Sequence, residues 1–344
     1  MARMDSALAT IQTDTLRVLR GLLPSGTRVA LVDFPNHQNA GDSLIWTGTR
    51  KYLRELGVEA DYVADMSRYN PEHLAARLPS GPILIQGGGN FGDRWEPMQA
   101  FRERVIADFP DRQIIQLPQS IDFGPGPALQ QAQRVLGAHP NLTILIRDHQ
   151  GVKRTRELFP TATVTFCPDL AFGNGRMRPI ADGPVDVVLL LRRDSEAIDH
   201  GYRVGPSLTH RRAEWGLTGY RSLKWKVLHI PGALAKRSAT LSRLLYPTVV
   251  KAYERQANLN VKSAVKVLKF GSVVITDRLH ATVLAALLEM PVIAMDNENG
   301  KVRAIYSDYL HTLPHVYFAE TGRAAEEEVN AYFLDVTSRR AIAT

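Results

Sequence analysis

The run Arg28-Val-Ala-Leu-Val-Asp33, continued by Phe34-Pro-Asn-His-Gln-Asn-Ala-Gly-Asp-Ser43, decides the fold class. A short aliphatic run reads as a buried strand, the polar stretch as a turn, and residues 43–56 carry helical patterning. The same order of strand, turn and helix recurs downstream. Pro82-Ile-Leu-Ile-Gln86 is closed by three glycines and followed by helical patterning over 96–108. Gln113-Ile-Ile-Gln-Leu117, Leu142-Thr-Ile-Leu-Ile146 and Ala162-Thr-Val-Thr-Phe166 extend the series. Strands joined by helices need right-handed crossovers, which give a mostly parallel sheet covered on both faces.

Composition shifts over 172–184, where Gly173, Gly175, Pro179, Gly183 and Pro184 read as an interdomain linker. Beyond it Val185-Asp-Val-Val-Leu-Leu-Leu191 and Ser272-Val-Val-Ile-Thr276 begin a second alternating set. A helix over 278–288, the run Pro291-Val-Ile-Ala-Met295, and helices over 300–309 and 321–338 complete it. The expected architecture is α/β, with two Rossmann-like domains facing a cleft. Residues 1–175 form the first domain, 184–320 the second and 321–344 a C-terminal helix. A length of 344 residues fits about two domains of roughly 150 each.

Composition bounds the function. Hydrophobic residues make up 44% and charged residues 22%, enough apolar material for two cores. A single cysteine, Cys167, excludes a disulfide scaffold and a cysteine-rich metal site. The most apolar stretch, 281–295, is interrupted by Glu289 and Pro291, short of the roughly 18 residues a spanning helix needs. Asp5 and Asp14 break up a secretory leader, so a cytoplasmic location is expected. The net charge is 42 − 35 = +7. Eleven Arg or Lys residues but only Glu214 and Glu254 fall within 203–255, so the surplus is local. No nucleic-acid module is recognisable, and no nucleic-acid partner is expected.

Ligands of open parallel sheets bind beyond the carboxyl ends of strands. Four segments lie there. In the first, Gly41 permits close backbone approach, and Asp42 and Ser43 are candidates to cap the following helix. In the second, Gln86-Gly-Gly-Gly-Asn-Phe-Gly-Asp93, the glycines point to a backbone held close to a neighbour. A Gly-Asp pair occurs in both, so Asp42 and Asp93 are candidates to meet. In the third, Arg147 follows a strand directly and suits a carboxylate or phosphate. The fourth, Thr276-Asp-Arg-Leu-His280, sets Arg278 and His280 at a helix N-terminus, an anion site beside a proton donor. Lys301 follows the next strand and offers another cation. No zinc-type cluster, Gly-x-Ser-x-Gly elbow or His-Glu-x-x-His occurs, so no metal is expected.

Taken in order, these segments resemble the polysaccharide pyruvyl transferase family. The resemblance rests on Asn39-x-Gly41-Asp42-x-x-Ile45, Gly87-Gly-Gly-Asn-x-Gly-Asp93, Gln119-Ser120, Arg147-Asp148, Pro168-Asp169-x-Ala171, Asp277-Arg-Leu-His280 and Lys301. It spans residues 33–309. Two features depart from it: Asp148-His-Gln-Gly151 lacks the usual serine or threonine, and the basic segment 203–255 matches no motif.

The resemblance implies a GT-B-like fold. It also implies transfer of pyruvate from phosphoenolpyruvate, the co-substrate in place of any cofactor, to two hydroxyls of a sugar. The product is a ketal and the by-product phosphate. The first domain is then the acceptor side and the second the donor side. Arg278, Lys301, Arg147 and the glycine-loop residues Gly88, Gly89 and Asn90 are donor-binding candidates. His280 is the general acid, and Asp42 and Asp93 orient or deprotonate acceptor hydroxyls. A lipid-linked oligosaccharide is the expected acceptor. The basic segment, with Tyr220, Trp225, Leu241, Leu244, Leu245 and Tyr246 among its cations, is expected to rest peripherally on the inner face of the plasma membrane. The rival reading is a GT-B nucleotide-sugar glycosyltransferase, for which no convincing acidic pair follows Asp277.

Overall fold

The computed structural model describes residues 2–178, 183–194 and 196–343. The chain divides into two compact units that are not continuous in sequence. The larger is Thr10–Asn174 with Leu217–Val261, and the smaller is Met1–Ala9, Gly175–Gly216 and Lys262–Thr344. Continuous domains 1–175 and 184–320 do not describe this division, because 217–261 packs with the larger unit. The Tyr246 hydroxyl accepts from the Val63 amide at 2.6 Å, and Tyr253 stacks on Phe34 with ring centroids 4.1 Å apart. Asn260 donates to the His37 carbonyl and to Ser43 Oγ. Of the predicted linker, residues 179–182 lie outside the described residues.

Strands of the larger unit are β1 (Arg28–Val32), β2 (Glu59–Ala64), β3 (Ile83–Ile85), β4 (Gly88–Gly92), β5 (Ile114–Asp122), β6 (Leu142–Ile146) and β7 (Thr163–Phe166). They alternate with α1 (Ala2–Leu22, from Thr10 onward in this unit), α2 (Ala40–Glu55), α3 (Pro71–Arg77), α4 (Glu96–Asp108), α5 (Pro127–Gly137) and α6 (His149–Leu158). The sheet runs β2-β1-β3-β5-β6-β7, with β4 also on β5, and every pair is parallel. β3 and β6 are buried along their whole length, as strands covered on both faces must be. Cys167, just past β7, is fully buried, and that burial pushes its thiol above the usual range.

Two local expectations change. Asn39, not Asp42 or Ser43, caps α2: its Oδ1 accepts from the Gly41 amide at 2.8 Å. Asp42 therefore sits inside the first turn with its carboxylate available, while Ser43 is buried. The glycine segment is also not a free loop, since most of it is β4 on the edge of β5. A Cβ on Gly87 would collide with the Pro118 carbonyl and one on Gly92 with that of Asp122. The close neighbour is thus the next strand. Gly92 also has φ 155°, which side-chain-bearing residues rarely adopt.

The smaller unit holds β8 (Val185–Leu190), β9 (His210–Arg212), β10 (Gly271–Thr276), β11 (Val292–Ala294) and β12 (Val316–Phe318). Their order is β12-β11-β10-β8-β9, again all parallel. Between β9 and β10 the chain forms α7 (Gly219–Ala235) and α8 (Ala239–Leu268), which are assigned to the larger unit as far as Val261. α9 (Leu279–Leu287), α10 (Lys301–Asp308) and α11 (Gly322–Ala343) complete the chain. Its core is Val187, Leu189, Val273, Ile275, Ile293 and Met295 with Ala325 and Val329 of α11.

Gly92→Ala is expected to lower the unfolding free energy by about 2–3 kcal/mol through overpacking and positive φ. Urea unfolding of the purified variant checks this. A change of a few tenths would mean that β4 is not held against β5 as described.

Candidate functional site

Strand order reverses at β1 and β3 in the larger sheet, and at β8 and β10 in the smaller. Such switch points open a crevice at the strands' carboxyl ends. Each unit keeps its polar groups there.

In the larger unit a cavity of about 300 Å³ is lined by Asp33, His37, Asp42, Asp65, Gln86 and Asn90, among others. Asp33 follows β1 directly with φ 68°, a conformation that costs a non-glycine residue energy. Its carboxyl is 9% exposed, and burial pushes it up to about 6, opposed by Arg102 and His37 and reinforced by Asp42 and Asp65. Asp65 is saturated: it accepts from Asn36, Ser67, Tyr253 and Arg68. That leaves Asp33 and Asp42 as the carboxylates able to serve a ligand hydroxyl, with His37 Nε2 at 3.5 Å from Asp42.

The wall is set by Arg102 of α4, 1% exposed. It donates to Gln116 Oε1 at 2.6 Å, Gln99 Oε1 at 2.6 Å and Asn90 Oδ1 at 2.8 Å. Burial lowers its pKa to about 10, so it remains a cation facing Asp33. Asn90 is locked further by Gln119, which donates to Asn90 Oδ1 at 2.8 Å and accepts from its amide. Gly88 lies against Asp42, and Gly89 continues β4 beside it. Sequence reading missed Asp33, Arg102 and His37. A carboxylate directly at a switch-point strand end was the available signal for the first.

Two predicted residues are placed elsewhere. Asp93 is exposed and does not line this cavity; its Oδ2 accepts from the Gly124 amide at 3.0 Å and ties two turns together. Arg147 is 1% exposed, paired with Asp169 at 2.6 Å and bonded through Nε to Ser120 Oγ at 2.9 Å. It therefore binds the strand ends of β5 and β6 to the turn after β7. Arg147, Ser120 and Asp169 thus form one buried network.

In the smaller unit, Thr276 Oγ1 donates to the Leu190 carbonyl at 2.7 Å and accepts from the Arg278 amide at 3.1 Å. Asp277 accepts from the Arg192 amide at 2.8 Å. This pins the turn so that Arg278 is the N-cap of α9 and His280, half-buried, its second residue. Beside it lies a cavity of about 280 Å³ whose lining includes Arg192, Arg193, His200, Arg212 and Glu214. Arg278 reaches Glu214, which also pairs with Arg193 at 3.1 Å. Burial, then the charge of Arg192, pushes the Arg278 guanidinium below its ordinary pKa, while burial pushes Asp277 up. Arg278 Nε, Asp277 Oδ2 and His200 Nε2 are buried without a hydrogen-bond partner among the described residues. A destabilised cation with an idle donor gains from a bound anion.

Lys301, the first residue of α10, lies 3.4 Å from Glu196. Glu196 also takes Arg192 at 3.2 Å and Asn297 at 2.9 Å. Lys301 shares Glu196 with Arg192, whose amide is held by Asp277 beside Arg278. Among the described residues no group of His, Cys, Asp and Glu could hold a metal ion.

The polysaccharide pyruvyl transferase family model matches residues 39–299, and the chain belongs to that family. Pyruvyl transferase 1 of Schizosaccharomyces pombe is 30% identical over 297 residues, covering 83% of this chain and 70% of that protein. The proposed pyruvyl transferase EpsO of Bacillus subtilis is 27% identical over 322 residues, 90% and 92% of the two chains. The crystal structure of a functionally uncharacterised Klebsiella pneumoniae protein has the same fold, with TM-score 0.57 at 18% identity, covering 90% of this chain and 99% of that one. The protein is a transferase, and the family does not favour a nucleotide-sugar glycosyltransferase.

Two predictions follow from this geometry. Arg147→Met removes the guanidinium from the buried Asp169 carboxylate, which keeps the Ala171 amide, at a cost of about 3–5 kcal/mol in denaturant melts. Arg278→Met has an idle Nε to lose and should shift stability by about 1 kcal/mol or less. Equal effects would contradict the assignment of the two arginines. For Asp33 the folded pKa is raised, so its stabilising contribution is complete below about pH 4 and lost as pH rises through about 6. Asp33→Asn cannot ionise and should match wild type near pH 4 but exceed it by up to about 3 kcal/mol near pH 8. Urea unfolding at both pH values measures the difference, and a gap that shrinks as pH rises would refute the burial of that charge.

Proposed function

We propose that the protein transfers pyruvate from phosphoenolpyruvate to two hydroxyls of one sugar residue, forming a cyclic ketal and releasing phosphate. The observation carrying this reading is the Arg278–His280 turn, where a half-buried guanidinium with a buried, idle Nε stands beside an imidazole at a helix N-terminus. Phosphoenolpyruvate carries a phosphate and a carboxylate, which suits Arg278, Arg192 and Lys301 with the amides of α9. Burial keeps Arg147 from a donor role in this reading.

His280 gives a proton to the methylene carbon of the enol, and the adjacent carbon becomes electrophilic. The first sugar hydroxyl adds there and passes its proton to a carboxylate of the larger unit. The second hydroxyl forms the other C–O bond as the C–O bond to phosphate breaks. Its proton is taken up by His280, now neutral and so restored, and phosphate departs with the electron pair and carries away the proton held on the carboxylate. Asp33, near 6, is matched to accept a proton close to neutral pH, and Asp42 orients the hydroxyls. The GT-B-like reading, with a donor side and an acceptor side serving one reaction, is part of this proposal. So are a lipid-linked oligosaccharide acceptor and work at the cytoplasmic face of the membrane. Among the described residues no helix is long and apolar enough to cross one.

The test is phosphate release from phosphoenolpyruvate with galactosides, glucosides and N-acetylmannosamine glycosides, free and lipid-linked. Acceptor-dependent release should fall by about 10²–10⁴ in His280→Ala. Asp33→Asn should lower turnover while phosphoenolpyruvate still raises the melting temperature. Nucleotide release from a sugar nucleotide, with no thermal protection by phosphoenolpyruvate, would sink the reading.

A further inference from the structure

We propose that α7 is a docking surface for an anionic lipid bilayer. Tyr220, Leu223, Val227, Ile230 and Leu234 are 77, 58, 53, 52 and 37% exposed. Steps of three and four residues put all five within an arc of roughly 80° on the helix. A soluble protein rarely leaves such a contiguous stripe bare without a use for it.

The stripe cannot turn inward, because the opposite face of α7 is tied down. His229 Nε2 lies 2.5 Å from Asn36 Oδ1, and the Gly232 carbonyl accepts from Arg68 Nε at 3.0 Å. Ala235 is buried. The residues differ from those the sequence pointed to. Tyr246 packs against the larger unit's core, and Trp225 is half-buried with its ring 3.7 Å from that of His229. Leu241 and Leu245 are half-buried as well, which leaves Tyr220 and Leu244 as the exposed members of that set.

Charge decides what covers the stripe. Lys224 and Lys226, both exposed, flank it on its two sides at the helical repeat. Exposed Lys236, Arg237 and Arg243 follow, with Leu244 72% exposed among them. No Asp or Glu occurs from residue 215 to 253. A second copy docking by two-fold symmetry would bring this cationic rim against itself. Anionic headgroups pair with each cation while the apolar side chains enter the headgroup boundary. Asn36, which holds His229, lines the cavity of Asp33 and Asp42. The docking helix is therefore tied to the wall of the acceptor cavity, which fits an acceptor carried on lipid. That last link rests on the proposed function; the docking does not.

Flotation of the full chain with vesicles tests this, without donor or acceptor present. Binding is expected to phosphatidylcholine mixed with phosphatidylglycerol and not to phosphatidylcholine alone. Lys224→Glu with Lys226→Glu should weaken it by about tenfold or more. Leu223→Glu with Ile230→Glu should do the same with an unchanged thermal melt, since both side chains are exposed. Absence of flotation, or flotation indifferent to both pairs, overturns the proposal. So does a dimer in light scattering that Leu223→Glu with Ile230→Glu dissolves, since a second copy then owns the stripe. Phosphate release with a free glycoside should be unaffected in both pairs, so failure of docking and failure of the pyruvyl-transfer reading are told apart.

Discussion

A fully buried arginine organises the larger unit. Removing a guanidinium from water is expensive, and the cost is met only if each donor finds an acceptor and an opposite charge stands near. Arg102 meets those terms with Gln116 of β5, Gln99 one turn earlier on α4, Asn90 of β4 and the charge of Asp33 after β1. Each partner comes from a different element, so the requirement fixes where those elements end. The strained backbone of Asp33 persists because the surroundings over-determine it. Two groups that line the cavity, Asp33 and Asn90, are placed by the same arginine.

The smaller unit solves the opposite problem. Arg192, Arg193, Arg278 and Lys301 crowd one switch point, and Asp194, Glu196, Glu214 and Asp277 stand among them. Glu214 bridges Arg193 and Arg278. In the proposed reaction an anionic donor would take its place, so that binding is an exchange of one anion for another. Exchange of one anion for another changes little in desolvation, which favours release of product as well as capture of substrate.

The fold was legible in the sequence because parallel strands buried on both faces must be short apolar runs, and Ile83–Ile85 and Leu142–Ile146 read that way without knowledge of their neighbours. The Asp277–His280 turn was legible for a related reason: strand, turn and helix are consecutive. Pairings across long separations were not. His229 meets Asn36 and Arg147 meets Asp169 only after the chain has folded. Hence Arg147 read as a ligand cation though it is an internal brace, and 217–261 read as part of the second domain. The cap of α2 was misread by three or four residues, since Asn, Asp and Ser all suit that role locally and only the backbone path chooses.

Cys167 has a practical consequence. It is the sole cysteine of the chain, it is fully buried, and its thiol is held well above the usual range. Slow reaction of the native protein with thiol reagents is the expected result, because the reactive form is the thiolate. A cysteine introduced at any exposed position would be the one site to take up a maleimide dye or a spin label. Distances and motions in this transferase can be followed optically without first removing a native residue.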